Sequence, residues 1–375
     1  MTSNNAARVV DCSSPPTFTF WFVAGAAFTL LALYAQGAGN WASMLRVGSA
    51  NPALDRIESD LGPIDSPDPI GHDGQLYYVI ARDPFAASNT AQDLAAFDNN
   101  GPRYRYRRIL FPLLAGGFGQ LGGRATLIGM ILMVLLGMGL ATAATADLAG
   151  QLGLKGGAAL LATFNIGSLL SAMILTGDAL ALGLALSGLA LSLRQRSNLA
   201  ITAFALAALT KEVYLLVPFG VALWHLKEHR LRIAAFTAIT PALPLAAWCV
   251  WVWMVVPGTL SQTSHLGPPL IGILTSAAHW RQLVGRNHVQ LFLGGYAVLI
   301  TILAAAMVVA GRSLPLRCLA GVWILLALCS TSAVWRVPGN ASRAFSILWP
   351  VSILLISERL AFSSRSAIGT LEHRV

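Results

Sequence analysis

Charged side chains are scarce in this chain of 375 residues: Asp, Glu, Lys and Arg make up 11% of it, whereas 55% is hydrophobic. A soluble domain carries about 25% charged residues, so this composition excludes a water-soluble globule. Lysine is rarest, because only three of the 25 basic residues are lysine. Since many arginines stand at the ends of apolar runs, the net charge of +9 indicates membrane topology and not a nucleic-acid-binding surface.

The sequence also lacks paired cysteines, repeats of fixed period and a clear signal-peptidase site. Cys12, Cys249, Cys318 and Cys329 do not have the spacing of a zinc site or a disulfide framework, so we expect them to be structurally inert. The first apolar run, 18–36, has no Ala-x-Ala site above the alanine background, which favours a retained span over a removed signal peptide.

Apolar runs recur along the whole chain. A helix of about 20 apolar residues crosses a bilayer. The sequence has ten apolar runs, several of them shorter than this length: 18–36, 125–146, 156–177, 179–193, 197–210, 213–226, 233–256, 289–310, 318–334 and 344–356. The sequence therefore predicts an all-α polytopic membrane protein of about ten spans. We expect one domain, 1–375, without a separate soluble domain.

The adjacent charges Lys211 and Glu212 decide the topology in the middle of the chain. At mid-bilayer each would cost about 2.5–3.5 kcal/mol on insertion scales, so we place them at the tip of a hairpin. The turns at Asp178 and Lys211 then share one side, and most of the arginine-rich turns share the other, which is the cytoplasm by the positive-inside rule. This puts both termini in the cytoplasm and leaves two large outer loops, 40–124 and 257–288.

The first outer loop contains two distinct segments. In 51–73, four prolines alternate with acids, so we expect an extended, turn-rich segment whose acids mostly face solvent. In 71–82, which begins Gly71-His72-Asp73-Gly74-Gln75, we expect a helix that lies on the membrane surface, with Leu76, Val79 and Ile80 as its apolar face and Tyr77 and Tyr78 at headgroup level. Asp73 is either a reactive carboxylate at the lipid–water boundary or only the N-cap of this helix.

Further along this loop, four arginines occur within six positions, interleaved with tyrosines, at 103–108. They form either a polybasic anchor for lipid headgroups or a clamp for a phosphorylated ligand, and the outer location favours the clamp. At the short turns, Asp178 is either a helix cap or a site residue, and Lys211 either pairs with Glu212 or meets a lipid-linked phosphate.

Two more polar clusters face the same side. The second outer loop has His265, His279, Arg281, Arg286 and His288, for which we expect a surface role because the spacing is not that of a metal site. Before the last run, Pro338-Gly339 prevents Arg336 and Arg343 from sharing one continuous helix, although a turn would still bring them together.

Together these features resemble the C superfamily of membrane glycosyltransferases, the GT-C fold. The resemblance rests on the 71–78 segment, on Tyr104-Arg105-Tyr106-Arg107-Arg108-Ile109-Leu110-Phe111-Pro112-Leu113, on Thr210-Lys211-Glu212 and on Asn340-Ala341-Ser342-Arg343. In these motifs the sequence is similar to a group of bacterial GT-C-like proteins linked to surface glycopolymers.

The resemblance implies an inverting transferase in the bacterial cytoplasmic (inner) membrane, with an extracytoplasmic active site. It would move a sugar from a polyprenyl-phosphate donor to a cell-envelope glycan or lipid acceptor. Asp73 is expected as base or metal ligand, with Mg or Mn as the metal, and the donor phosphate would meet Lys211, Arg107, Arg108, Arg336 and Arg343. Supporting residues would be His72, Gln75, Tyr78, Asp178, Glu212 and Asn340. The alternatives are a glycolipid transporter or flippase and a non-catalytic scaffold of a glycan-assembly complex.

Overall fold

The fold is α-helical throughout the part of the chain that the structure, a computed structural model, describes. This part comprises residues 15–37, 40–65, 68–98, 100–154, 157–258, 265–284 and 286–372. The predicted all-α class is confirmed, because β-structure within these ranges is limited to two isolated bridges. Cys12 and Lys155 lie outside the described residues.

The first third of the chain carries one long helix, a set of short ones and a second long helix. They are α1 (Pro15–Gly37), α2 (Leu54–Leu61), α3 (Asp73–Arg82), α4 (Thr90–Phe97), α5 (Pro102–Tyr106), α6 (Leu110–Gly116) and α7 (Gly123–Gln151). Two 3-10 helices, Trp41–Leu45 and Gly119–Leu121, flank the short ones.

The middle and the last third follow with thirteen helices. They are α8 (Gly157–Thr163), α9 (Ile166–Met173), α10 (Asp178–Leu193), α11 (Ser197–Thr210), α12 (Leu216–Lys227), α13 (Leu231–Ile239), α14 (Ala242–Val255), α15 (Ile271–Leu283), α16 (His288–Ala310), α17 (Leu314–Cys329), α18 (Ser332–Trp335), α19 (Pro338–Ala344) and α20 (Leu348–Glu372). A third 3-10 helix, Glu212–Leu215, separates α11 from α12.

Several of these helices suit a membrane. Among the described residues, four segments are helical, long and apolar enough to cross one, namely Phe18–Gly37 of α1, Gly123–Gln151 (α7), Leu231–Val255, which takes α13 and α14 together, and His288–Ala310 (α16). The pair α19 and α20, bent by 58°, makes a fifth if it counts as one span. Helices α10, α11 and α17 are apolar but shorter. Helices α1, α14 and α16 turn large apolar side chains outward, as lipid contact requires.

The predicted run 156–177 is not one continuous helix. Asn165 interrupts it between α8 and α9: its side chain accepts a hydrogen bond from Ser168 N (3.3 Å), and its Nδ2 donates to Ser346 O (2.7 Å). The second bond reaches the bend between α19 and α20. A buried amide thus satisfies backbone groups that two broken helices leave free.

Two expectations for the first loop are wrong. The proline-rich segment contains α2, because Pro52 and Pro63 flank this helix and do not interrupt it. Helix α3 does not lie on the surface, since every residue from Gly74 to Ala81 is buried. The 3-10 helix Trp41–Leu45 and helices α6 and α7 pack against α3, so side chains that were expected to meet lipid and headgroups face protein instead.

Close helix packing fixes the position of α10. A Cβ added to Gly137 of α7 would lie 2.4 Å from Leu180 N, and one added to Gly183 would lie 2.3 Å from Gly137 O. Small residues at such contacts let membrane helices approach each other closely. The contact holds the first residue of α10, Asp178, beside the first-loop helices.

Candidate functional site: an acid–cation cluster

Side chains from widely separated parts of the sequence meet in two neighbouring networks of ion pairs, one around Asp73 and Asp178 and one around Glu212, here together called the charge cluster. Its members are Asp73, Asp98, Asp178, Glu212, Arg105, Arg107, Arg108, Lys211 and Arg343. The prediction that the turns at Asp178 and Lys211 share one side is confirmed, because these two residues form an ion pair.

Asp178 is the most deeply buried acid of the charge cluster, with 4% of its side chain exposed. Its carboxylate pairs with Lys211 and with Arg343 Nη2 (2.8 Å), and it accepts hydrogen bonds from the hydroxyls of Ser171 and Thr176 (2.9 Å each). It opens α10 without capping it, so the cap interpretation is wrong here. A carboxylate this buried requires such partners, because an unpaired buried charge is very costly.

Asp73 is more accessible, with 29% of its side chain exposed. It makes no capping hydrogen bond at the start of α3; instead Arg105 Nη1 lies 3.0 Å from Oδ1, and Arg343 Nη2 lies 3.2 Å from Oδ2. Burial alone would raise the pKa of Asp73, but Arg105 and then Arg343 outweigh it and hold this pKa well below its usual range. Asp73 is therefore an ionised carboxylate between two guanidinium groups.

Arg343 joins the two acids, since its Nη2 contacts both Asp73 and Asp178. Helix α19 carries it, and the neighbouring Ser342 fixes that helix by donating to Leu293 O (2.9 Å). Against the same turn, a Cβ added to Gly167 would lie 2.0 Å from Ser342 O. Arg343 is thus a rigidly held bridge between the first outer loop and α10.

Glu212 binds two arginines of the first outer loop. Arg108 donates from Nε (2.9 Å) and Nη2 (2.8 Å) to its two carboxylate oxygens, and Arg107 donates from Nη2 (2.8 Å). The guanidinium of Arg108 also lies 4.3 Å from the centroid of the Tyr104 ring. The simple Lys211–Glu212 pair is therefore wrong, and the polybasic headgroup anchor does not fit arginines that point into the protein.

Five predicted site residues take no part in the ion pairs of the charge cluster. Gln75 is buried and occupied by the loop: its Oε1 accepts from Gly48 N and Asn51 Nδ2, and its Nε2 donates to Ile70 O. Tyr78 is buried and donates to Asp60 Oδ2 (2.8 Å). Their assignment to substrate is thus contradicted by these contacts. The other three are His72, Arg336 and Asn340. Their side chains are exposed, and the structure gives them no ion pair with any described residue.

The contacts of three residues, Arg105, Asp98 and His265, were not predicted from the sequence. Arg105 is the arginine that reaches Asp73, and its Nε also binds Asp98 Oδ2 (2.6 Å). The sequence signal for this pair is that Asp98 stands seven residues before Arg105, across the Gly101-Pro102 turn. His265 was expected at the surface, yet both its ring nitrogens are buried without a hydrogen-bond partner in the described ranges, and its ring lies 5.8 Å from that of Tyr104.

The acids of the charge cluster do not form a divalent-cation site. Mg²⁺ and Mn²⁺ require several oxygen ligands that are free to coordinate, whereas each oxygen of Asp73 already faces a guanidinium. No group of three His, Cys, Asp or Glu side chains in the described part of the chain is arranged for a metal ion. With five cations around four carboxylates, the cluster suits an anion better.

Comparison with known proteins returns no family model, no curated protein and no solved structure that matches this chain.

Proposed function

We propose that the protein is an inverting, GT-C-like glycosyltransferase that takes a sugar from a polyprenyl-phosphate carrier. The observation that carries this proposal is the arrangement around Arg343, which puts one accessible carboxylate, Asp73, against a set of buried cations. Glycosyl transfer from a lipid phosphate needs these two elements, a base at the acceptor and positive charge at the leaving group.

In the proposed reaction, an acceptor hydroxyl oxygen attacks the anomeric carbon of the donor sugar. The bond from that carbon to the phosphate oxygen breaks, and the phosphate leaves with the electron pair. Asp73 takes the hydroxyl proton, while Lys211, Arg343 and Arg105 stabilise the departing phosphate. Burial lowers the pKa of Lys211, although Asp178 opposes this effect, so this lysine needs an anionic partner to stay charged at such depth.

Donor binding resolves a conflict in this scheme. A general base works best with a pKa near the working pH, yet the pKa of Asp73 is far below its usual range, because the arginines beside it outweigh its burial. A phosphate that binds Arg105 and Arg343 neutralises the charges that depress this pKa. Phosphate binding therefore raises the pKa of Asp73, so that the base becomes competent only once the donor is in place.

The proposal includes the finer topology. Ten spans in the bacterial cytoplasmic membrane, with both termini in the cytoplasm, put the charge cluster on the extracytoplasmic face, where a cell-envelope glycan or lipid acceptor is available. The outward apolar side chains of α1, α14 and α16 support contact with a bilayer.

The first test is Asp73→Asn in purified, reconstituted protein, supplied with polyprenyl-phosphate sugars and a lipid extract as acceptor. Transfer should fall to background because an amide cannot accept the proton, and the melting temperature should show that the variant is folded. Asp65→Asn is the matched control, since Asp65 is an exposed acid of the same loop. Full activity in the Asp73 variant removes this residue from the mechanism.

The second test is Lys211→Ala, measured as binding of the donor lipid. Loss of one charge-assisted contact of about 1.5–3 kcal/mol should weaken donor affinity by about 10–150-fold. Arg336→Ala is the control, because Arg336 is exposed and makes no ion pair with a described residue. Unchanged donor affinity in the Lys211 variant contradicts the phosphate role.

A glycolipid transporter remains the second candidate, because broken helices are typical of transporters. Here α8–α9 and α19–α20 are both broken, and Asn165 joins the two breaks. The polar cavity beside Asn165, however, has a volume of about 10 Å³, which is room for about one water molecule. A reconstituted flipping assay discriminates between the candidates: lipid-linked sugar that crosses the bilayer without transfer favours the transporter.

A further inference from the structure

A groove of about 620 Å³ lies between α12 and α17, with one side chain from α16. Its lining is apolar or weakly polar except for two cations, Lys227 and Arg317. The remaining lining residues are mainly leucine and valine, together with Phe219, Gly321 and the two cysteines Cys318 and Cys329.

The two ends of the groove differ in charge. Along α12, the lining runs from Leu216, next to the 3-10 helix that begins at Glu212, to Lys227, a rise of about 16 Å. Helix α17 runs in the opposite direction, and its end at Cys329 accepts a hydrogen bond from Gly267 N (2.8 Å). The apolar end therefore faces the charge cluster, and both cations lie at the far end.

Neither cation at the far end pairs with a carboxylate in the described part of the chain. Lys227 is exposed, and Arg317 Nε donates to Val308 O (2.6 Å). The nearest acid in sequence, Glu228, is occupied by Trp224 Nε1 (2.7 Å) and Arg230 Nε (3.5 Å). Among the described residues, these two positive charges at one end of an apolar groove thus have no carboxylate counterion.

We propose that this groove binds an anionic phospholipid, with an acyl chain along α17 and the phosphate between Lys227 and Arg317. The apolar lining suits the chain, and the uncompensated cations suit the headgroup. Gly321 lines the groove, and a Cβ added there meets no atom within 4 Å, so a larger side chain at this position would project into the groove. The assignment is independent of the proposed glycosyl transfer.

Cys318 is buried but lines the groove near both cations, so we expect a small maleimide to reach its thiol through the groove and the labelling to report on occupancy. In full-length, delipidated protein with the other three cysteines changed to serine, maleimide labelling of Cys318 is measured during titration with phosphatidylglycerol. Phosphatidylglycerol should protect the thiol at about 30-fold lower concentration than phosphatidylcholine of the same chains, at about 1 kcal/mol for each cation. Inorganic phosphate alone should give no protection.

Two pairs of variants test the two parts of the site. Lys227→Gln with Arg317→Gln should abolish the preference for phosphatidylglycerol, whereas Arg230→Gln with Arg232→Gln, cations that do not line the groove, should retain it.

Gly321→Leu should fill the groove and reduce protection by both lipids. Gly295→Leu is its match, because Gly295 lies on α16 outside the groove and its added Cβ also meets no atom within 4 Å. Melting temperatures verify that each variant is folded, and the cation variants keep the test open if Gly321→Leu does not fold.

Three outcomes overturn the proposal. Equal protection of Cys318 by the two lipids means that only non-specific annular lipid covers the groove. Protection by inorganic phosphate means a small-anion site that does not use the groove. Full protection in the folded Gly321→Leu variant places the lipid elsewhere.

Discussion

Removing both cations that hold Asp178 should destabilise the protein by more than the sum of the two single removals. Asp178 is 4% exposed and pairs with Lys211 and Arg343. In Lys211→Met or Arg343→Met, the other cation and two hydroxyls still serve the carboxylate, so each variant should lose about 1–3 kcal/mol. In the double variant the buried charge has no cation of this pair left, and the loss should exceed the sum by about 1–3 kcal/mol.

The assay is reversible unfolding in mixed detergent micelles, followed by tryptophan fluorescence. Asp178→Asn in the double-variant background should recover most of the excess loss, because a neutral amide does not need a cation. Arg194→Met is the control partner for Lys211→Met: it breaks the Asp147–Arg194 ion pair at the opposite end of α10, about 24 Å away. That pair of substitutions should be additive. Additivity in the Lys211 and Arg343 double variant, or no recovery when Asp178→Asn is added to it, refutes the reasoning.

Two further predictions concern pH and helix packing. Burial would raise the pKa values of Asp73 and Glu212, but neighbouring arginines hold both well below their usual ranges, so these groups stabilise the fold fully above their unfolded values of 3.8 and 4.5. The free energy of unfolding should therefore be insensitive to these groups above pH 4.5 and should fall as the pH drops below this value. A free energy of unfolding that stays constant down to pH 2.5, about two units lower, contradicts the ion pairs. Gly137→Leu should prevent folding because its Cβ would lie 2.4 Å from Leu180 N, whereas Gly150→Leu on the same helix meets no atom within 4 Å of its Cβ and should fold, as measured by monodisperse elution.

The sequence predicts the position of the site better than the contacts within it. The parity of the apolar runs places Asp178 and Lys211 on one side, and their ion pair confirms it. Parity carries no information on side-chain direction, however. In α3, Gln75 turns toward the preceding loop, Tyr78 toward Asp60 of α2 and Asp73 toward Arg343. Only tertiary packing separates these directions.

Backbone breaks are harder still to predict from a sequence of uniform hydropathy. The run 156–177 has enough apolar residues for one span, yet one asparagine ends one helix and begins the next because it also binds Ser346 O, far along the chain. Proline gave the opposite error: the proline-rich segment was expected to be extended, but it contains α2, which Pro52 and Pro63 delimit. In both cases the outcome depends on which backbone groups find partners, and a local pattern does not specify this.

The charge balance of the cluster limits which ligand the proposed function can use. Three cations balance three carboxylates in the network around Asp73 and Asp178, and two arginines share Glu212 beside it, so the cluster as a whole carries one unit of positive charge in excess when all nine groups are ionised. Buried charges are tolerated only when they are paired, so a ligand with a single negative charge brings the site to neutrality. A sugar linked to its carrier through one phosphate has this charge, and a diphosphate linkage would leave a negative charge over. Because Arg343 contacts both Asp73 and Asp178, such a phosphate can replace Asp73 at this guanidinium while Lys211 still neutralises Asp178. The acid freed in this way is the one with 29% of its side chain exposed, which is the acid that an acceptor hydroxyl is able to reach.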